Sequence, residues 1–253
     1  SVLRTLLKRQ RHRRERLFCA GAIIHPNWVL TAASCLTNNT FSVIAGIHDL
    51  KQLNELKEFT EDEEVDETNE TNDSHIQIRT IPNDKHYIVH ELYENEVGND
   101  IALINITEPF DLSMSVRVKG IPLPIKRNVH RGFGTIYGWD FGTGGQKPMH
   151  LSAMHAQVFD YNTCKKFQDF GAVVQPFHLC TRIAVGPSFR DAGAPLVLDT
   201  ADSPALIGLA TSGNVVCDAT NGRPSIYTNV LSFRRWIEEK MFGKNYKNFY
   251  NGK

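Results

Sequence analysis

The side chains of this sequence most able to do chemistry are five cysteines, at 19, 35, 164, 180 and 217, and ten histidines spread over the whole length. Cys19 and Cys35 stand sixteen residues apart, as do Cys164 and Cys180, so each pair, if oxidised, closes a loop worth about 3 kcal/mol. Cys217 is then left over. Five free buried thiols in a reducing compartment is the alternative that the count alone leaves open. No Cys-x-x-Cys and no Cys/His spacing suggests zinc, so neither a metal nor a cofactor is expected. No histidine has a Ser or Cys set beside it by a nucleophile motif, and such imidazoles are ordinarily surface or satisfied core groups.

A second kind of chemistry lies in charge. Residues 4 to 16 hold seven bases against one acid, and six of those bases, Lys8, Arg9, Arg11, Arg13, Arg14 and Arg16, fall within nine residues. Residues 55 to 73 hold ten acids against one lysine. The whole chain nevertheless balances at 28 bases and 28 acids, so both blocks are local additions to a near-neutral scaffold. Guanidinium groups at this density suit sulfate or carboxylate, which they bind bidentately. Three readings follow for the basic tract: neutralisation by the acidic block, binding of a sulfated glycan or acidic protein, and cleavage by a protease. Nucleic acid is disfavoured, because no aromatic residue interleaves the tract. Asn38, Asn69, Asn72 and Asn105 each open a glycosylation triplet.

These residues must be positioned by short strands. At 41% apolar residues over 253 positions the chain is long enough for one large domain or two small ones, and it is not a disordered protein. No apolar run reaches the roughly 18 residues of a spanning helix, the stretch from Phe18 to Ala33 being broken by His25, Pro26 and Asn27, so a soluble chain is expected. Ser1 opens no charged-then-apolar leader, so any secretion signal is expected to be removed or to lie outside this sequence. Strands are predicted over Leu17 to Ile24, Trp28 to Ala33, Phe41 to Ala45, His75 to Ile81, Ile101 to Ile106 and Gly134 to Trp139. Others are predicted over His155 to Phe159, Pro195 to Leu198, Leu206 to Ser212 and Ile226 to Asn229, a spacing typical of a sandwich or barrel. One clear helix follows Ser232 as N-cap, with Phe233, Trp236, Ile237 and Met241 on one face. A shorter one is predicted over Asp160 to Phe167. The acidic block has too little apolar content to bury anything and reads as a solvated loop.

Five segments in order resemble the chymotrypsin/trypsin family of serine proteases. FCAGAIIHPNWVLTAASC (Phe18 to Cys35) is similar to the segment that carries the family's catalytic histidine, and NDIALI (Asn99 to Ile104) to the one that carries its aspartate. YGWD (Tyr137 to Asp140) resembles the family's GWG strand, RDAGAPLVL (Arg190 to Leu198) its nucleophile segment, and PSIYTNV (Pro224 to Val230) the strand before its closing helix. The resemblance implies an all-β fold of two six-stranded antiparallel barrels, the first over about 1–110 and the second over about 111–230. It also implies a C-terminal helix over about 232–242, a domain ending near 243 and a tail over 244–253. It supports the disulfides Cys19–Cys35 and Cys164–Cys180. Ser188 then stands where the partner of Cys217 would be, leaving Cys217 a free thiol or a handle for intermolecular pairing.

The chemistry departs from that pattern. In the family a serine hydroxyl attacks the substrate carbonyl, an imidazole takes the proton, and a carboxylate fixes the imidazole. Here the imidazole position is Ser34 and the nucleophile position is Ala192, while the carboxylate, Asp100, is kept. Loss of one member of such a unit costs on the order of 10⁶ in turnover, and the losses do not add. Arg190 occupies a position where the family has a glycine beside the oxyanion, so a fully formed oxyanion hole is not expected. Ala194 replaces a second glycine. Asp191 is retained, with no apolar IVGG-type terminus in this sequence to pair with it. The resemblance puts Gly186 at the floor of the specificity pocket with Gly213 and Ser225 on its walls, and Ser212 where a tryptophan is usual, so no carboxylate there would select Arg or Lys. It places Lys8 to Arg16 in a loop on the rim of the cleft, with the acidic block in a neighbouring loop. The expectation is a secreted, extracellular, non-catalytic homologue that acts by binding, as cofactor, scaffold or decoy toward an active protease, inhibitor or receptor. The alternatives are a sulfated-glycan-binding defence protein and a residual endopeptidase.

Overall fold

The computed structural model describes residues 4–11, 14–36, 40–52, 75–94, 98–113, 117–125, 132–139, 150–167, 174–182, 192–198, 204–211 and 225–243. In the first half, β-branched and apolar stretches form β1 (Arg4–Arg11), β2 (Arg14–His25), β3 (Trp28–Thr31), β4 (Phe41–Ala45), β5 (Gln77–Ile81), β6 (Tyr87–Val89) and β7 (Ala102–Asn105). They pair antiparallel in the order β5-β4-β1-β2-β3-β7-β6. The two edge strands are consecutive in the chain, joined through Pro82, Asn83 and a 3₁₀ turn over Asp84–His86. Pro82 has no N–H to continue a ladder. The first half is thus a seven-stranded antiparallel sheet, compatible with the expected barrel. Phe41, Val43, Ile81 and Ile104 fill the interior.

The second half closes completely. β8 (Gly132–Gly138), β9 (Ser152–Phe159), β10 (His178–Arg182), β11 (Pro195–Leu198), β12 (Ala205–Ala210) and β13 (Ser225–Asn229) form a barrel in the order β10-β13-β12-β11-β8-β9. Its core holds Ile136, Val158, Leu196, Ile207 and the fully buried Tyr227. Leu30, Leu103, Val197 and Leu206 share a third cluster with Phe233 and Ile237 of the last helix, so the two halves and the helix are packed into one body. At about 25 cal/mol per Å² of apolar surface, removing this seam from water is a main reason that the halves hold together.

Both disulfides form, Cys19–Cys35 and Cys164–Cys180. The closing helix runs Val230–Phe242, and its N-cap is Asn229, whose side chain accepts from Leu231 N–H at 3.1 Å, not Ser232 as expected. Asn229 has extended backbone, while Ser232 already lies inside the helix. The shorter helix is a single turn, Tyr161–Cys164, with Asp160 as its cap. β6 and β10 were not anticipated, since YIV and HLCTR are brief and flanked by polar residues.

The basic tract is strand and not loop. Lys8, Arg9 and Arg11 lie in β1 and Arg14 and Arg16 in β2, with the register Lys8↔Leu17, Arg9↔Arg16, Gln10↔Glu15 and Arg11↔Arg14. The acidic block and Arg13 lie outside the described residues. The ends from which the acidic block departs, after Ala45 and before Gln77, face each other at one end of β4, whereas the basic hairpin turns beyond the other end, at Arg9↔Phe41.

Candidate functional site

Ser34 and Asp100 are brought together from 66 residues apart. Ser34 sits in the 3₁₀ turn Ala33–Cys35 that follows β3, and Asp100 lies just before β7, the strand paired with β3. Asn99 presents Asp100 from a left-handed conformation, φ 52°, which asparagine tolerates better than most residues. Its side-chain amide donates to Leu92 O at 2.8 Å and anchors that turn.

Asp100 is fully buried. A carboxyl group in that position needs hydrogen-bond donors to offset its lost hydration. Ser34 supplies two: its backbone N–H donates to Oδ1 at 2.8 Å and its Oγ donates to Oδ2 at 3.0 Å. Thr228 Oγ1, from the second barrel, donates to the Asp100 carbonyl at 2.9 Å, so the residue is held from both halves. The Ser34 hydroxyl stands against Oδ2 of the carboxylate. A hydroxyl there orients Asp100 but has no basic nitrogen near neutral pH.

Ala192 comes from the loop before β11 and is buried. Its carbonyl accepts from Ala20 N–H at 2.8 Å and lies 3.5 Å from Cys35 Sγ, one residue beyond Ser34. Gly193 has φ 77° and donates to Ala210 O at 2.8 Å. A Cβ at Gly193 would overlap Ala20 O and press on Thr31 Oγ1, so this glycine is required where the loop of the second barrel meets the backbone of the first. What Ala192 presents is a methyl group.

Of the residues that the resemblance puts around a specificity pocket, Ser225 begins β13 and is buried. Gly186, Gly213, Arg190, Asp191, Ser212, Ser188 and Cys217 lie outside the described residues, as do Asn38, Asn69 and Asn72. Asn105 ends β7 with Asn105 and Thr107 exposed around buried Ile106, so that triplet is open to solvent. Several imidazoles have structural contacts elsewhere. His25 packs edge-on against Phe242 at 6.2 Å, and the buried His178 accepts from Gln175 N–H. His90 lies between Phe233 and Trp236, and its burial lowers its pKa. His48 and His150 flank Asp49, with Gln52 and Arg117, in a cleft of about 480 Å³ that the sequence did not signal. Its residues are 65 or more positions apart in part and follow no motif. Among the described residues no cluster of His, Cys, Asp and Glu could hold a metal ion, and no helix is long and apolar enough to cross a membrane.

The profile of the Trypsin family matches residues 5–237. Lectizyme of Glossina austeni is 32% identical over 233 residues, spanning 88% of this chain and 77% of its own length. Chymotrypsin of Phaedon cochleariae is 25% identical over 87% of this chain and 71% of its own. Chymotrypsin-like elastase family member 3A of Homo sapiens is 28% identical over 87% of this chain and 77% of its own.

Proposed function

This chain belongs to the trypsin family of serine proteases, and from that premise we propose that it keeps the family's fold without its hydrolysis and works by binding. The observation that carries this is the Ser34–Asp100 pair: the position beside the buried carboxylate holds a hydroxyl donor in place of a base. Ala192 supports the same reading, since a methyl group cannot form an acyl intermediate. The retained fold then serves as a rigid frame for surface elements that contact a partner, as cofactor, scaffold or decoy toward an active protease, inhibitor or receptor. Two disulfides and the exposed Asn105 triplet support an extracellular setting with glycosylation.

Hydrolysis of casein by the purified protein tests the reading. No release above buffer is expected. Release that is abolished by a serine-directed inhibitor and that co-purifies stoichiometrically with this chain overturns it.

A further inference from the structure

We propose that the β1–β2 hairpin is a binding site for a sulfated glycan, built from four arginines on one face of a two-stranded ribbon. This rests on the reading of the protein as a binding protein and names the class of partner. Directly opposed residues of an antiparallel pair share a face, as do residues two apart on one strand. The register Arg9↔Arg16 and Arg11↔Arg14 therefore sets all four guanidinium-bearing positions on the same face. Lys8, Gln10, Glu15 and Leu17 take the other. Along each strand the arginines recur at roughly 7 Å, twice the rise per residue, and across the pair at about 5 Å.

This arrangement works against the fold of the isolated protein, because like charges directly opposite one another destabilise a ladder. Two such pairs stand in succession. Among the described residues, β4 pairs with β1 as far as Arg9↔Phe41 and β3 pairs with β2 from Gly21 onward, so the register Gln10↔Glu15 and Arg11↔Arg14 is carried by β1 and β2 alone. An anion set against the face removes the repulsion and gains bidentate hydrogen bonds. A ribbon of repeating charge suits a linear ligand of repeating charge. A sulfated glycan is favoured over nucleic acid because residues 8–16 contain no Phe, Tyr or Trp on which a base could stack. The disulfides point to the oxidising compartment in which such glycans occur.

The test is titration of the full chain with a heparin-derived oligosaccharide and with its desulfated counterpart, over a series of salt concentrations. If each arginine neutralises one anion, and the coefficient for single-stranded polyanions applies, log affinity falls with log salt at a slope of roughly −3. The pair Arg9→Ser/Arg16→Ser should halve that slope and weaken binding about tenfold or more. The charge-matched pair Lys51→Ser/Lys166→Ser, on exposed positions elsewhere, should change neither. The contrast between sulfated and desulfated ligand needs no variant, so it decides the matter even if the arginine variant misfolds. Equal binding of the two ligands, a flat salt dependence, or an unaffected Arg9/Arg16 variant overturns the proposal. So does displacement by single-stranded DNA at equal charge, which would show generic attraction. Failure to bind at all would also overturn it, as expected if the acidic block covers the face. Casein hydrolysis by the same sample reports separately on whether the non-catalytic reading has failed.

Discussion

Replacing Ser34 by alanine removes one hydrogen bond from a carboxyl group that has no solvent contact. The backbone N–H of residue 34 continues to donate to Oδ1, so the loss is confined to the Oγ–Oδ2 contact at 3.0 Å. Hydrogen bonds to charged groups contribute about 1.5–3 kcal/mol. Ser34 is only partly buried, so water can reach the vacated side and the lower end applies, about 1.5 kcal/mol. For a chain of this size each kcal/mol moves the midpoint by about 2–4 °C, so thermal unfolding at pH 7 should fall by about 3–6 °C. Urea unfolding should shift in midpoint with its slope unchanged. Ser34→Thr, which keeps the hydroxyl, should recover most of the loss. A shift below about 0.5 kcal/mol for Ser34→Ala would mean that the serine is incidental to Asp100 and that the donor account is wrong.

Gly193→Ala should cost more. A left-handed backbone costs a non-glycine residue about 1–2 kcal/mol, and the overlap with Ala20 O adds about 1–3, so a loss of roughly 3 kcal/mol or poor soluble yield is expected in unfolding and expression measurements. On the surface, Glu91 pairs with Lys240 and accepts from Trp236 Nε1 at 2.8 Å; the Lys240 contact foremost holds its pKa down to about 2. Because the folded value is depressed, the contribution is present above about pH 4.5 and is lost as pH falls toward 2. Lys240→Met should therefore lower stability by less than about 1 kcal/mol at neutral pH, the pair being exposed, with the gap to the natural protein closing in acid. The double substitution Ser34→His/Ala192→Ser supplies an imidazole and a hydroxyl at those positions but leaves Arg190 where the resemblance expects a glycine. Its peptide hydrolysis should stay far below that of an active relative and rise on adding Arg190→Gly.

The fold was legible because the segments that specify it are local. LFCAGAII and FSVIA each carry the alternation and bounding turn residues of a strand, and their limits lie within a few residues of β2 and β4. The two cysteine pairs were legible for the same reason. The separation of β5 from β6 at Pro82 was not, because whether a proline ends a strand or bends it depends on what its neighbours can still pair with. The basic tract was placed in a loop by the resemblance, whereas its strand register is set by the distant partner β4 and the rest of β2. At the site, the resemblance singled out Ser34, Asp100 and Ala192, and the structure brings Ser34 and Asp100 into hydrogen-bond contact. What the sequence did not contain was the geometry between them: the donation from Ser34 Oγ, the support of Thr228 from the other barrel, and the need for Gly193 to have no side chain where the halves touch. Each spans tens of residues or more in the chain, beyond the reach of any local pattern.

The central claim is that a hydroxyl beside Asp100 and a methyl group at 192 leave nothing able to attack a carbonyl. Titration of the purified natural protein with a fluorophosphonate serine probe, read by intact mass, tests this most directly. The account predicts no mass increment under conditions that saturate an active chymotrypsin. Stoichiometric addition of one probe, mapped to a serine of this chain, would contradict it and reveal a nucleophile elsewhere in the cleft.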